Sequence, residues 1–309
     1  MLYGIVGATF LSGWNAQAAD LFTKAPLAAA PVPQSAVDGI NGKIEAFGGS
    51  VADRSLFGTK GAISIPLQGQ FGAQIDGAVG GLDGRVFGSI AGHLFWRDPS
   101  RGLAGIYVNH TAWDQFGGVH VTQVAGEGEY YWQRWTLQGI AGVEFGNSAS
   151  QTSTFVVPPV PPFNLPAIPG VATTFTETFD VQTRFFDQIN LKYYFTDNWD
   201  GYVGHRYLGG KHALALGTEY AFPLSGGTMA AAFVEGRVGE NEFHGIWGGL
   251  KVYFGQHDKP LIARHRQDDP NIWGVDSLFS ILNSRTTSAT STVVCPPGAV
   301  GINSSSGLC

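Results

Sequence analysis

Two groupings of ionisable side chains in this chain have the types that acid–base chemistry needs: His110 with Asp114, and Glu242 with His244. An imidazole oriented by a carboxylate can act as a general base, but it also needs a nucleophile or substrate proton within hydrogen-bond reach. Neither pair comes with a nucleophile at a recognisable spacing, so no residue is assigned a catalytic role and the chain is not expected to be an enzyme. Cys295 and Cys309 have no His or further Cys at a metal-ligand spacing and predict a disulfide rather than a zinc site. In an oxidising compartment that bond would close a ring of about 15 residues, worth about 3 kcal/mol in chain-entropy terms. No glycine-rich phosphate loop is present, and no cofactor or metal is expected.

The remaining charges make sense only once they are placed on elements. The chain has 309 residues, 44% hydrophobic and 14% charged, with 44 Gly. Disorder would require fewer aromatics and more charge. A helical membrane protein would require apolar runs of 18 or more residues, and none occurs. A net charge of −6 offers no electrostatic footprint for nucleic acid. From Lys43 to Gly255 the dominant signal is instead period two, the pattern of a sheet with two unlike faces. Between Arg184 and Phe195, for example, Phe185, Ile189, Leu191, Tyr193 and Phe195 share one face, and Arg184, Gln188, Asn190 and Lys192 the other. Phe186, Asp187 and Tyr194 break the rule.

Twelve such segments can be marked, at 43–53, 58–66, 69–81, 84–97, 101–112, 118–132, 134–146, 180–196, 199–208, 211–222, 227–239 and 243–254, the second weakly and with glycine joints near Gly81 and Gly209 that would suit bulges. Strands of this length cross a bilayer when tilted. Tight joints alternate with connections that are often longer, the longest being 147–179. Aromatics cluster beside the tight joints, as in Tyr130-Tyr131-Trp132 with Trp135 and Tyr193-Tyr194-Phe195 with Trp199. Short periplasmic turns, long outer loops and aromatic girdles predict an all-β, transmembrane, antiparallel up-and-down barrel in the outer membrane, of about 12 strands.

If the apolar face meets lipid, the other face lines the lumen. It carries the cations Lys43, Arg97, Arg184, Lys192, Arg206, Arg237 and Lys251 and the anions Glu45, Asp76, Glu127, Glu129, Glu144, Glu219 and Glu235, with His93 and several amides between them. Balanced signs suggest pairing across the interior, since a charge in a narrow lumen is costly unless paired. A selective pore would show an excess of one sign at a constriction.

The chain resembles the small outer-membrane barrels of alpha-proteobacteria of the surface-antigen and opacity type, filed as porin-family proteins. The resemblance rests on Ala18-Ala19-Asp20-Leu21 with Lys24-Ala25-Pro26, on the glycine-rich amphipathic strands, and on the last strand Gly249-Leu250-Lys251-Val252-Tyr253-Phe254. It implies a barrel of 8–12 strands embedded in outer-membrane lipid, and a terminal aromatic, Phe254, read by the barrel-insertion machinery.

The expected organisation is a signal peptide at 1–19, a Pro/Ala-rich linker at 20–42, the barrel at 43–255 and a periplasmic tail at 256–309. Arg264 and Arg266 in the tail could meet peptidoglycan, Trp273–Leu282 is too short to assign as a helix, and 284–309 reads as disordered. The long loop, with its Pro-rich run Phe155–Phe163, could fold inward, bind a surface ligand or simply be exposed. Two functions stay open: a porin-like barrel passing small hydrophilic solutes, and a closed structural or surface-interaction barrel (surface antigen, adhesion or envelope integrity) with an ion-paired lumen.

Overall fold

Long strands that alternate apolar and polar side chains satisfy every backbone group in lipid only if the sheet closes on itself. In the computed structural model, which describes residues 34–159, 170–255 and 258–295, twelve antiparallel strands close into one barrel. They are β1 (Asn41–Val51), β2 (Arg54–Pro66), β3 (Phe71–Leu82), β4 (Arg85–Asp98), β5 (Gly102–Trp113), β6 (Val119–Trp132), β7 (Trp135–Gly146), β10 (Arg184–Thr196), β11 (Trp199–Leu208), β12 (Lys211–Pro223), β13 (Met229–Gly239) and β14 (His244–Phe254). Each pairs with its neighbour in sequence, except that β7 pairs with β10 and the ring closes between β14 and β1. At that seam Gly42 faces Phe254, and a Cβ on Gly42 would stand 2.7 Å from the Phe254 ring; the glycine lets the last aromatic lie across the closing strand.

The sequence predicts longer connections at the end opposite the girdle, yet three of them are two-residue turns. Ala52-Asp53, Asp83-Gly84 and Gly209-Gly210 all have positive φ at both positions, the backbone that matches the twist of a two-residue hairpin. The joint near Gly209 is therefore a turn rather than a bulge, and Gly81 lies within β3, short of the Asp83-Gly84 turn. The exception at this end is 147–183, where the chain leaves the barrel as β8 (Ser148–Val157) and β9 (Gly170–Asp180). β9 is a separate strand, not an extension of β10, because Val181–Thr183 interrupts the pairing.

The polarity is inverted relative to a soluble barrel. Ile44, Ile75, Ile90, Ile106, Val124, Phe185, Leu214 and Leu250 are exposed on the outside, whereas Lys43, Glu45, Asp76, Arg97, Glu144 and Arg206 are buried within. Around the short-turn end the outward rings make a chain of contacts: Tyr130–Trp132 at 5.5 Å, Trp132–Trp135 at 6.3 Å, Trp135–Tyr193 at 4.6 Å, Tyr193–Phe195 at 5.3 Å and Phe195–Trp199 at 4.7 Å. Such amphipathic rings sit at headgroup level.

The expected tail outside the barrel is corrected. After β14 the chain forms α1 (Leu261–Gln267), a 3₁₀ turn (Gly274–Ser277), α2 (Leu278–Leu282) and β15 (Arg285–Val294). It enters the lumen at the short-turn end, where the Leu261 amide donates to Asn198 and Arg266 donates to the Trp135 carbonyl, both beside short turns. It leaves at the other end, where Asn283 donates to the Leu208 carbonyl and β15 pairs along the whole of β9. The outer sheet thus has the order β15-β9-β8. Arg285–Val294 was expected to be disordered; its β-branched and hydroxyl side chains instead extend a ladder, with Thr173 and Ser291 hydroxyls 3.0 Å apart.

Candidate functional site

The lumen divides into two halves of different chemistry. Toward the long-loop end the inward residues are large and apolar: Phe47, Leu56, Leu82, Phe87, Trp113, Ile140, Phe186, Phe233 and Trp247. Alone they would leave an apolar hole in a water-filled barrel, which explains why the tail fills it. Leu278, Phe279, Ile281 and Leu282 of α2 pack into that cluster and are buried to 1% exposure or less. Phe279 stacks on Phe243 with centroids 4.5 Å apart. This half is a hydrophobic core, distinct from the inward charges and amides that alternation picks out.

Toward the short-turn end the wall is ionic. Each of the inward charges expected from alternation faces the interior, and most meet an opposite charge. Lys251 lies 2.7 Å from Glu219 and 3.4 Å from Glu45. His93 bridges Asp76 at 3.1 Å and Glu127 at 2.7 Å, and Arg97 stands 3.7 Å from Glu129. Ion pairs also occur toward the long-loop end, where Arg184 approaches Glu144 at 3.8 Å and Arg237 contacts Glu235 at 2.9 Å. Lys43 donates to the Pro270 carbonyl of the tail at 3.1 Å.

Sequence reasoning missed four participants. Lys60 joins Glu45 to Glu235, at 3.2 Å and 3.7 Å, and Asp200 lies 3.6 Å from Lys192. Their faces were legible by counting in twos from their strand neighbours. Asp276 and His265 come from the tail, and no strand pattern could have placed them. Asp276 receives Arg206 Nε at 2.8 Å on one oxygen, and Arg237 Nε at 2.9 Å and Nη2 at 2.8 Å across both. Two guanidiniums from β11 and β13 on one carboxylate pin the tail to the barrel wall. Nearby, Ser277 donates to Thr111, and Ser280 donates to Glu144, which also accepts from the Gly209 amide.

His265, on α1 at the short-turn mouth, shows how completely the mouth is closed. Burial, then the charges of Lys192 and Lys251, hold its imidazole well below the usual range, so it is neutral. Tyr253 already donates to Glu219 at 2.6 Å, so it accepts from Nε2–H of His265 at 3.0 Å, while Tyr194 donates to Nδ1 at 3.0 Å. Arg264 and Arg266, on a tail that reads as a solvated extension with a peptidoglycan contact as the lesser alternative, instead donate to the Gly227 and Trp135 carbonyls of the barrel. The end of the expected linker is also part of this closure: Ala36 and Val37 pack on Phe95 and Leu103, and the Asp38 amide donates to Asp268. Burial raises the Asp268 carboxyl above its usual range despite the Asp38 amide and Lys259.

What the tail leaves empty is small. A cavity of about 60 Å³, lined by Lys43, Glu45, Asn190, Glu219, Lys251 and Asp269 among others, has room for a few waters.

The other expected features are quickly placed. His110 and His244 lie on the outer face at the long-loop end, His110 bonded to Thr122 at 2.9 Å and His244 facing Asp53 at 3.3 Å. Glu242 is taken up by Arg54 and Arg285, each at 2.9 Å. Cys295 is disulfide-bonded; Cys309 lies outside the described residues, as do the signal peptide and the linker up to residue 33. The run Phe155–Phe163 is described only to Pro159, with Phe155, Val156 and Val157 exposed on β8.

No family model matches the chain, and no curated protein sequence matches it. Among solved structures it is similar to the siderophore receptor PirA from Pseudomonas aeruginosa, at 14% identity over 65% of this chain with a TM-score of 0.28. It spans less than half of PirA, 43% of that chain. It is also similar to an outer-membrane channel from Pseudomonas putida F1 (8% identity, 74% of this chain and 98% of that one, TM-score 0.42). A third is the outer-membrane protein Omp33 of Acinetobacter baumannii (9% identity, 72% and 100%, TM-score 0.35). On its own geometry, closed, even-stranded and apolar on the outside, this chain is an outer-membrane β-barrel protein.

Proposed function

We infer that the protein works as a closed outer-membrane barrel that presents, on the cell surface, a sheet built from its own long hairpin and its C-terminal strand. One observation carries this reading: residues 261–283 run through the lumen, pinned there by Asp276 on Arg206 and Arg237, and deliver β15 to the outer sheet. A surface role agrees with the resemblance to surface-antigen and opacity-type barrels. In this reading the long-loop end faces outward, the lipid-facing belt meets the outer membrane, and Phe254 closes the strand offered to the insertion machinery.

The test is single-channel recording of the folded full-length chain in planar bilayers, paired with antibody access to a C-terminal epitope on intact cells. Silent bilayers and a surface-accessible epitope are expected. Stepwise conductance from folded full-length protein would overturn the closed reading, and an epitope reached only after permeabilisation would overturn the surface assignment of β15.

A second reading has its own support. The tail is held in the short-turn half by ion pairs and hydrogen bonds around a polar cavity, and removing it would leave a charged wall suited to small hydrophilic solutes. Here the barrel is a diffusion channel whose tail is its plug. A chain ending after Gly255 that folds, by its heat-dependent gel mobility, and conducts would support this reading; a folded and silent one would sink it.

A further inference from the structure

Among the described residues, the histidines outside the lumen and tail all lie on the outer face at the long-loop end. They are His110, His120, His205, His212 and His244. Four sit two positions from an exposed apolar residue of the same face: His110 after Val108, His205 after Val203, His212 before Leu214 and His244 before Ile246. The rings therefore stand where the lipid-facing belt ends, at the depth of the headgroups of the outer leaflet. The opposite border carries Trp and Tyr instead. A polar or charged ring is tolerated at this border, whereas a charge at mid-depth is strongly disfavoured.

The rings are grouped. His110 and His120, on neighbouring β5 and β6, have centroids 5.2 Å apart. On β10, β11 and β12 a chain of hydrogen bonds runs from Asp187 to His205 at 2.8 Å and on to His212 at 3.0 Å. His244 stands apart beside Asp53. Tyr207 packs on His212 at 4.6 Å, Glu240 accepts from the His212 backbone amide, and Lys211 precedes it. Thr122 is the partner of His110, and Glu242 lies two residues from His244 but is occupied by Arg54 and Arg285.

Neither cluster is suited to hydrolysis: Thr122 meets His110 without a carboxylate to orient that imidazole, and His205, oriented by Asp187, meets no hydroxyl or thiol among the described residues. What an imidazole pair at headgroup depth can do is take a phosphate. Imidazole is the side chain whose ordinary titration falls between about pH 5 and 8. The His110 and His120 rings, with centroids 5.2 Å apart, repel each other when both are protonated, and a phosphate oxygen between them relieves that repulsion with two charge-assisted hydrogen bonds. The His205–His212 pair is bonded nitrogen to nitrogen and flanked by the carboxylates of Asp187 and Glu240, which oppose an anion. The apolar face directly below His110 is already the surface on which acyl chains lie, so the ligand is a phosphate joined to acyl chains rather than a free anion. We propose that the His110–His120 pair is a binding site for the phosphate-bearing headgroup of surrounding lipid, engaged when the rings are protonated.

The test uses full-length protein in neutral detergent micelles doped with phosphatidic acid, with phosphatidylcholine as the control. Lipid retained per barrel after desalting is measured by phosphorus content at about pH 5.5 and about pH 7.5, spanning the ordinary imidazole titration. Phosphatidic acid retention several-fold higher at the lower pH, unmoved by excess inorganic phosphate, is the expected result. The double variant His110→Gln, His120→Gln should lose that difference while keeping its heat-dependent gel shift, since neither ring packs in the lumen. Retention that is equal at both pH values, or unchanged in the folded variant, would overturn the proposal. Displacement by inorganic phosphate would overturn lipid as the ligand. If the double variant fails to fold, His110→Gln and His120→Gln are measured singly, and pH-dependent retention unchanged in both would equally overturn it.

Discussion

Asp276 concentrates more of the closed state than any other side chain, because its carboxylate is the sole tail anion shared by Arg206 and Arg237 among the described residues. Removing one partner of a buried ionic cluster leaves uncompensated charge, at a cost of about 3–5 kcal/mol. Asp276→Ala is therefore expected to lower the denaturant midpoint of the folded barrel by that order, read from the gel shift, whereas Asp53→Ala at the exposed rim should move it little. His93 offers a second case. Both ring nitrogens face carboxylates, at 3.1 Å and 2.7 Å, so it can donate to both only as an imidazolium. His93→Leu would leave Asp76 and Glu127 facing each other and is expected to cost about 3–5 kcal/mol as well. The residues that broke the alternation within 184–195 turn out to be informative: Phe186 belongs to the apolar half of the lumen, Tyr194 holds His265, and Asp187 faces outward to His205. Each violates the pattern because a partner from another element supplies what lipid or water would otherwise supply.

At the scale of elements, β15 is the one whose position depends on charges at the rim. Its first residue, Arg285, donates to Glu177 of β9 at 2.6 Å and to Glu242 of the β13–β14 turn at 2.9 Å. Burial pushes the Glu242 carboxyl up, but hydrogen bonds and charge from Arg54 and Arg285 outweigh it and hold the group below the usual carboxylate range. A carboxyl depressed on folding stabilises above its unfolded value of about 4.3, and that contribution is lost as pH falls through the folded value. Acidification below about pH 4 should therefore loosen β15 from the rim, seen as faster amide exchange in 285–294 while the barrel strands stay protected, and Glu242→Gln should show the same loosening at neutral pH. The strands themselves were legible because period two is a local property of sequence. The turns were less so: Ala52-Asp53 is a two-residue hairpin turn without glycine, and its positive φ values have no compositional signature.

For the whole molecule, the tail substitutes for the solvent that a porin keeps in its lumen. The apolar half, with Phe87, Trp113, Phe233 and Trp247 inward, would face water if α2 were absent. Deleting 258–309 is thus expected to reduce the yield of heat-shifted barrel, and restoring only 258–284, without β15, should recover it, because the core contacts end at Leu282. The same construction brings a chain that leaves β14 at one face of the membrane back into order at the other.

What the sequence determined alone is the barrel: twelve segments of alternating polarity, their inward charges, and the membrane that their outward face requires. These follow because each strand's two faces are written in its own residues and closure is the only way to satisfy the backbone in lipid. The contents of the barrel were decided by tertiary structure. Residues 258–284 carry no alternation that points inward, and their place depends on Asp276 finding two arginines on β11 and β13, and α2 finding an apolar cavity whose walls come from many strands. Complementarity of that kind exists only after the barrel has brought those walls together.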